Sequence, residues 1–164
     1  MNFIKKGILV SLITLFFYGC SRDDICSGET LTTPKLIIVF KNVLNPLEAS
    51  SVVGLSIEAD FTTTGGVVLE TTTSDSIAIP LRTNALETQF RFIQNTGATN
   101  ENTDIVTFNY ITNELYVNRA CGFKTNYDNL EGVVTDDETN WIQNLTIEKQ
   151  LVEDEQETHI TILH

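Results

Sequence analysis

The chain has 164 residues, three cysteines, and ten basic against twenty-two acidic side chains, a formal net charge of −12. That length supports one domain and leaves little room for two. The acidity excludes a nucleic-acid binder, because phosphate backbones demand clusters of Lys and Arg.

Residues 1–19 are a predicted targeting segment. Lys5 and Lys6 make a basic start, and Gly7 to Tyr18 is an apolar run of twelve residues broken only by Ser11 and Thr14. A membrane span needs roughly 20 apolar residues, whereas the run has the length of the apolar region of a secretory signal. The stretch Phe17-Tyr18-Gly19-Cys20 resembles the lipobox of bacterial lipoproteins, with Phe17 where Leu is usual. The resemblance implies cleavage before Cys20, which then becomes a lipidated N-terminus. Two or more acyl chains anchor stably where one chain binds only marginally. Cleavage removes Lys5 and Lys6 and no acid, so −12 becomes −14. Ser21-Arg22-Asp23-Asp24 resembles the surface-export signal of Bacteroidetes lipoproteins. The expected location is the outer membrane, either surface-displayed or facing the periplasm.

With Cys20 acylated, Cys26 and Cys121 remain. An exported pair in an oxidising compartment normally closes. Neither cysteine has the neighbours that a zinc or CxxC site requires. A Cys26–Cys121 bridge is therefore expected, contributing at most roughly 4–5 kcal/mol by loop entropy.

Residues 20–33 read as a tether ending at Thr33-Pro34, and 34–164 as the folded domain. Thr supplies 22 residues after Cys20, and Val, Ile and aromatics are frequent, all strand-favouring types. Lys35 to Asn42 (KLIIVFKN) predicts a strand buried on both faces. Pro46 to Val53 is the one short helical candidate. Val52 to Phe61 alternates in part. Thr64-Gly65-Gly66-Val67 is a hairpin signal, returning through Val67 to Thr72. Ser76 to Leu81 follows, with Pro80 favouring an edge or a strand end. Gln89 to Gln94 sets Phe90 and Phe92 on one face, and Asn95 to Thr103 reads as a loop. Asp104 to Thr112 alternates Val106, Phe108 and Tyr110. Asn113-Glu114 predicts a tight turn into Leu115 to Asn118, and residues 119–132 read as mostly polar. Val133-Val134, Trp141 to Leu151 and Thr158 to Leu163 complete the series. Eight or nine strands with hairpin signals between them predict an all-β antiparallel sandwich, immunoglobulin-like in the loose sense. Arg119 stands where a tyrosine corner would need Tyr, and Trp141 follows both paired cysteines.

Three stretches carry a resemblance: Asp23-Asp24-Ile25-Cys26 with Thr33-Pro34-Lys35-Leu36-Ile37-Ile38, Asp75-Ser76-Ile77-Ala78-Ile79-Pro80-Leu81, and Cys121-Gly122-Phe123. Together they resemble an uncharacterised family of flavobacterial lipoproteins, a domain of unknown function. The resemblance implies lineage, secretion and a paired cysteine, and no activity.

Chemistry-bearing patterns are sparse. His159 and His164 stand five apart in the last strand, so they point to opposite faces and suit no shared metal. No Gly-x-Ser-x-Gly elbow, His-Glu-x-x-His or phosphate loop is present. The carboxylates could supply a glycosidase pair, but most crowd into turns such as Asp136-Asp137-Glu138 and Glu153-Asp154-Glu155. Asp128-Asn129-Leu130-Glu131-Gly132 puts Leu130 where a calcium loop wants an oxygen. Trp141 and Tyr127 are candidate ligand contacts, as a sugar-stacking platform if exposed and as core aromatics otherwise. Asp75-Ser76-Ile77 resembles the Bacteroidetes O-glycosylation pattern at Ser76. Asn144-Leu145-Thr146 has the N-glycan form, which means little in a bacterium. No catalytic residue, metal ligand or cofactor is assigned. The expected role is a non-catalytic accessory or interaction module, with an envelope protein or glycan as partner and the membrane held through Cys20. The alternative is a surface glycan-binding module of a nutrient-uptake system.

Overall fold

The computed structural model describes residue 26, residues 32–59 and residues 66–164. The expected targeting segment, the expected lipidation site Cys20 and most of the expected tether lie outside the described residues. So does the hairpin turn expected at Thr64-Gly65.

Among the described residues, ten strands form two five-stranded sheets. The first sheet holds β1 (Leu36–Asn42), β2 (Asn45–Ala49), β5 (Ser76–Ile79), β9 (Asn144–Ile147) and β10 (Ile160–Leu163), in the order β2-β1-β10-β9 with β5 also on β1. The second holds β3 (Val52–Ala59), β4 (Val67–Ser74), β6 (Glu87–Gln94), β7 (Asn102–Asn118) and β8 (Gly122–Val134), in the order β4-β3-β6-β7-β8. One cluster of buried side chains joins them. Leu36, Ile38, Phe40, Ile160 and Ile162 of the first sheet share it with Ile57, Phe90, Phe92, Val106 and Phe108 of the second. The aromatic rings of β6 and β7 meet edge-on or tilted at 6.1–6.4 Å.

The structure corrects several expectations. The sheets are not all antiparallel, because β1 and β10 run parallel with Ile38 opposite Ile160 and Phe40 opposite Ile162. These strands come from opposite ends of the chain, so no short hairpin dictates their direction. β1 is not buried on both faces. Leu36, Ile38 and Phe40 are fully buried, while Ile37 and Val39 between them are only half-buried. The helical candidate at Pro46 to Val53 is instead β2 and the start of β3. Pro46 is tolerated because β2 is an edge strand with little ladder to break.

The turn expected at Asn113-Glu114 lies inside β7, where Asn113 pairs with Asn126 and Glu114 with Thr125. The reversal comes at 119–121. The Asn118 carboxamide oxygen accepts the amides of Ala120 at 2.9 Å and Cys121 at 2.7 Å. Gly122 follows at φ +72°, a conformation that glycine adopts without steric cost. Residues 119–132 are therefore the turn and most of β8, and β7 with β8 makes a hairpin of 17- and 13-residue strands.

Candidate functional site

The parallel seam gives the molecule two ends. At the end where β1 and β10 begin, the His159 amide donates to the Ile37 carbonyl at 3.0 Å, and the Ile37 amide donates to His159 Nδ1 at 3.0 Å. The Thr125 amide reaches Thr33 Oγ1 at 3.0 Å, and the Lys35 amide reaches Glu155 Oε1 at 2.9 Å. The β7–β8 hairpin projects from this entry end. At the opposite end the Val43 amide donates to the His164 carbonyl at 3.1 Å, beside the β1–β2 turn.

At the entry end the Cys26–Cys121 disulfide ties the start of the domain to the tip of the β7–β8 hairpin. Near the tip, Tyr116 and Phe123 are cross-strand partners with ring centroids 5.4 Å apart, yet 62% and 67% exposed. Ile111 and Leu115 of the same hairpin are also exposed. Set back from the tip, Lys149 gathers Glu157 at 2.9 Å, Glu153 at 3.7 Å and Asp154 at 3.9 Å. The hydrogen bond to Glu157 holds the Lys149 ammonium above its ordinary pKa. His159 is fully buried. Burial first, and the Lys149 charge second, push its imidazole below the ordinary histidine value. Because Nδ1 accepts from Ile37, the ring is neutral.

At the opposite end Leu44 and Leu47 stand 90% and 96% exposed, and all five residues of β2 are exposed. Below them Phe40, Trp141 and His164 form an aromatic cluster with centroids 5.9–6.4 Å apart. Asp104 is the one fully buried carboxylate among the described residues. Its Oδ2 accepts the Ile142 amide at 2.8 Å. Burial lifts its pKa above the usual carboxylate value against the lowering effect of that bond.

The two candidate ligand contacts do not form a stacking platform. Tyr127 is fully buried and donates its hydroxyl to the Leu81 carbonyl at 3.0 Å. Burial, with neighbouring Tyr110, pushes that phenol up to about 12. Trp141 is 8% exposed, and its Nε1 donates to the Phe92 carbonyl at 3.1 Å. Each polar tip is satisfied by a backbone carbonyl, which lets the ring sit in the core. The Asp128–Gly132 stretch is strand, not loop, and its Leu130 is core. Ser76 is exposed on β5 at the edge of the first sheet. Among the described residues no group of three His, Cys, Asp or Glu is arranged to hold a metal ion, and no helix is long and apolar enough to cross a membrane.

Residues 51–164 match the family of unknown function DUF6452. The chain belongs to this family. The DUF6452 match takes in Asp75–Leu81 and Cys121–Phe123 and leaves out β1, β2 and Cys26. It contains every strand of the second sheet and three of the five in the first. No curated protein and no solved structure matches the chain.

Sequence reasoning missed both exposed projections and the buried Asp104. The two leucines flanking Asn45-Pro46 were readable as an apolar turn. Tyr116 and Phe123 become symmetric about the turn only once the reversal at 119–121 is known.

Proposed function

We propose that this DUF6452 chain is a lipid-anchored envelope protein of the outer membrane, of the flavobacterial lipoprotein kind. It works as a non-catalytic interaction module on a loosely immunoglobulin-like sandwich. The observation that carries the reading is the opposition of two apolar projections. The disulfide fastens the entry end six residues behind Cys20, and Leu44 and Leu47 are exposed at the other end. A module held by its start offers its far end to a partner. Exposed leucines at that end suit a protein surface, because a buried leucine contributes about 1.5–3 kcal/mol to association. A disulfide between cysteines 95 residues apart suits an exported chain.

Two experiments test the reading. Cys20→Ala should release the protein from membranes, and a variant that stays membrane-bound overturns the anchor. A photo-crosslinking residue at Leu47 in intact cells should trap one defined envelope protein, while the same residue at Ala78 on β5 should not. Equal trapping at both positions overturns the interaction surface.

A further inference from the structure

We infer that the tip of the β7–β8 hairpin is a second membrane contact, seated on the phospholipid surface that holds Cys20. The inference rests on the lipid anchor proposed above and adds an orientation that the anchor alone does not provide.

Three observations converge on the tip. Tyr116 and Phe123 are the only aromatics among the exposed large apolar side chains of the described residues, and they sit side by side at 5.4 Å. Two exposed rings meeting edge-to-face at the end of a projecting hairpin contribute nothing to the core. Tyrosine concentrates at the membrane–water interface, where its apolar ring and polar hydroxyl are both accommodated, and Phe123 beside Tyr116 adds apolar area there. Secondly, the turn between them carries Cys121, whose partner is Cys26 with Cα atoms 4.9 Å apart. Six residues separate Cys20 from Cys26, and an extended chain of that length spans at most about 20 Å. The acyl chains on Cys20 would thus keep the tip close to the bilayer. Thirdly, residues 113–124 carry one acid, Glu114, against Arg119 and Lys124, in a chain whose net charge is −12.

The charge around the tip limits the depth. Glu153, Asp154, Glu155 and Glu157 lie at the same end of the molecule, and Lys124 Nζ reaches back to the Glu153 carbonyl at 3.5 Å. This acidic loop repels anionic headgroups. The contact is therefore shallow, made by the rings alone, and favours zwitterionic lipid. The far end, with Leu44 and Leu47, is then directed away from the bilayer.

The test uses the full lipidated protein in phosphatidylcholine vesicles with acyl chains brominated near the headgroup. Phe123→Trp, and separately Tyr116→Trp in case one variant folds poorly, are compared with Leu44→Trp, each read as a difference from wild type. The contact requires that bromine quench the added tryptophan at 123 or 116 and leave that at 44 unchanged. Equal quenching at the two ends, or none at either, in protein that floats with the vesicles overturns the contact while leaving the anchor intact. Protein that carries no acyl group on Cys20 by mass spectrometry and fails to float overturns the anchor, and this inference falls with it.

Discussion

The two sheets solve the same packing problem with opposite connectivity. The second sheet is assembled largely from neighbours in the chain: β3 with β4, β6 with β7, and β7 with β8. The first joins two local pairs, β1 with β2 and β9 with β10, through a central pairing of opposite chain ends that sets Ile38 beside Ile160. Local pairs close short loops, whereas the β1–β10 seam must overcome the closure entropy of nearly the whole domain. Devices that hold chain ends together gather at that seam. They are the paired hydrogen bonds between His159 and Ile37, the bond from the Lys35 amide to Glu155, and the disulfide from Cys26 to the hairpin of the other sheet. Cooperativity between the sheets therefore depends on how firmly the seam is held.

The largest expected effect comes from truncating one buried ring in each sheet. Phe40→Ala and Phe108→Ala each remove a fully buried side chain and should each cost about 3–5 kcal/mol. Denaturant titration gives the size, and native-state hydrogen exchange gives the distribution. Phe40→Ala should lower protection in 36–42 and 160–163 more than in β6 and β7. Uniform loss across both sheets would mean that they open as one unit, and the contrast between them would disappear.

Next in size is the disulfide. Replacing Cys26 and Cys121 together with Ser should cost about 2–4 kcal/mol without changing the core. The loss should appear mainly as earlier opening of β1 and β10. A midpoint unchanged from the oxidised protein would show that the seam needs no covalent support.

The contrast also explains what was readable in the sequence. Alternation in Val106, Phe108 and Tyr110, and the shared face of Phe90 and Phe92, reveal local strands because side-chain period and burial agree. The turn composition of Asn113-Glu114 points to the wrong place for the β7–β8 reversal, while the deciding features, the Asn118 side chain and Gly122, flank the tip at 119–121 four or more residues further on. The parallel seam leaves no local mark, since nothing near Ile38 specifies Ile160. Trp141 and Tyr127 were ambiguous for the same reason. Their burial depends on the carbonyls of Phe92 and Leu81, 49 and 46 residues away. The Cys26–Cys121 pair was legible because compartment and count constrain cysteines independently of topology.

The buried titratable groups sharpen the comparison through pH, since one lies at the seam and the other in β7. His159 has a folded value below its ordinary 6.5, so the unfolded chain takes up the proton first. Its contribution is complete above the unfolded value and is lost as pH falls from about 6.5 through the folded value. Asp104 has a folded value above its ordinary 3.8. There the native state keeps a proton that the unfolded chain has released, so its contribution is complete below the ordinary value and declines as pH rises through the folded one. His159→Gln should flatten the loss of stability on acidification below about 6.5. Asp104→Asn should remove the opposing slope at lower pH. Guanidinium midpoints across the acid range check both, and an acid limb unchanged in His159→Gln would remove histidine from the seam's pH response.

The smallest effect belongs to the Glu58–Arg91 pair, which faces across the β3–β6 ladder of the second sheet. Its side chains are 29% and 39% exposed, so water screens the attraction and the residues already sit in a ladder fixed by the backbone. Glu58→Gln should cost about 0.2–1 kcal/mol in low salt and less in about 1 M salt, where the screening length is only ~3 Å. Comparing the variant with wild type at both salt concentrations separates charge from side-chain packing. A loss that persists undiminished in high salt would mean that packing of the Glu58 stem, not ion pairing, supports the ladder. The second sheet would then owe nothing to ion pairing, and the contrast with the clamped seam of the first would widen.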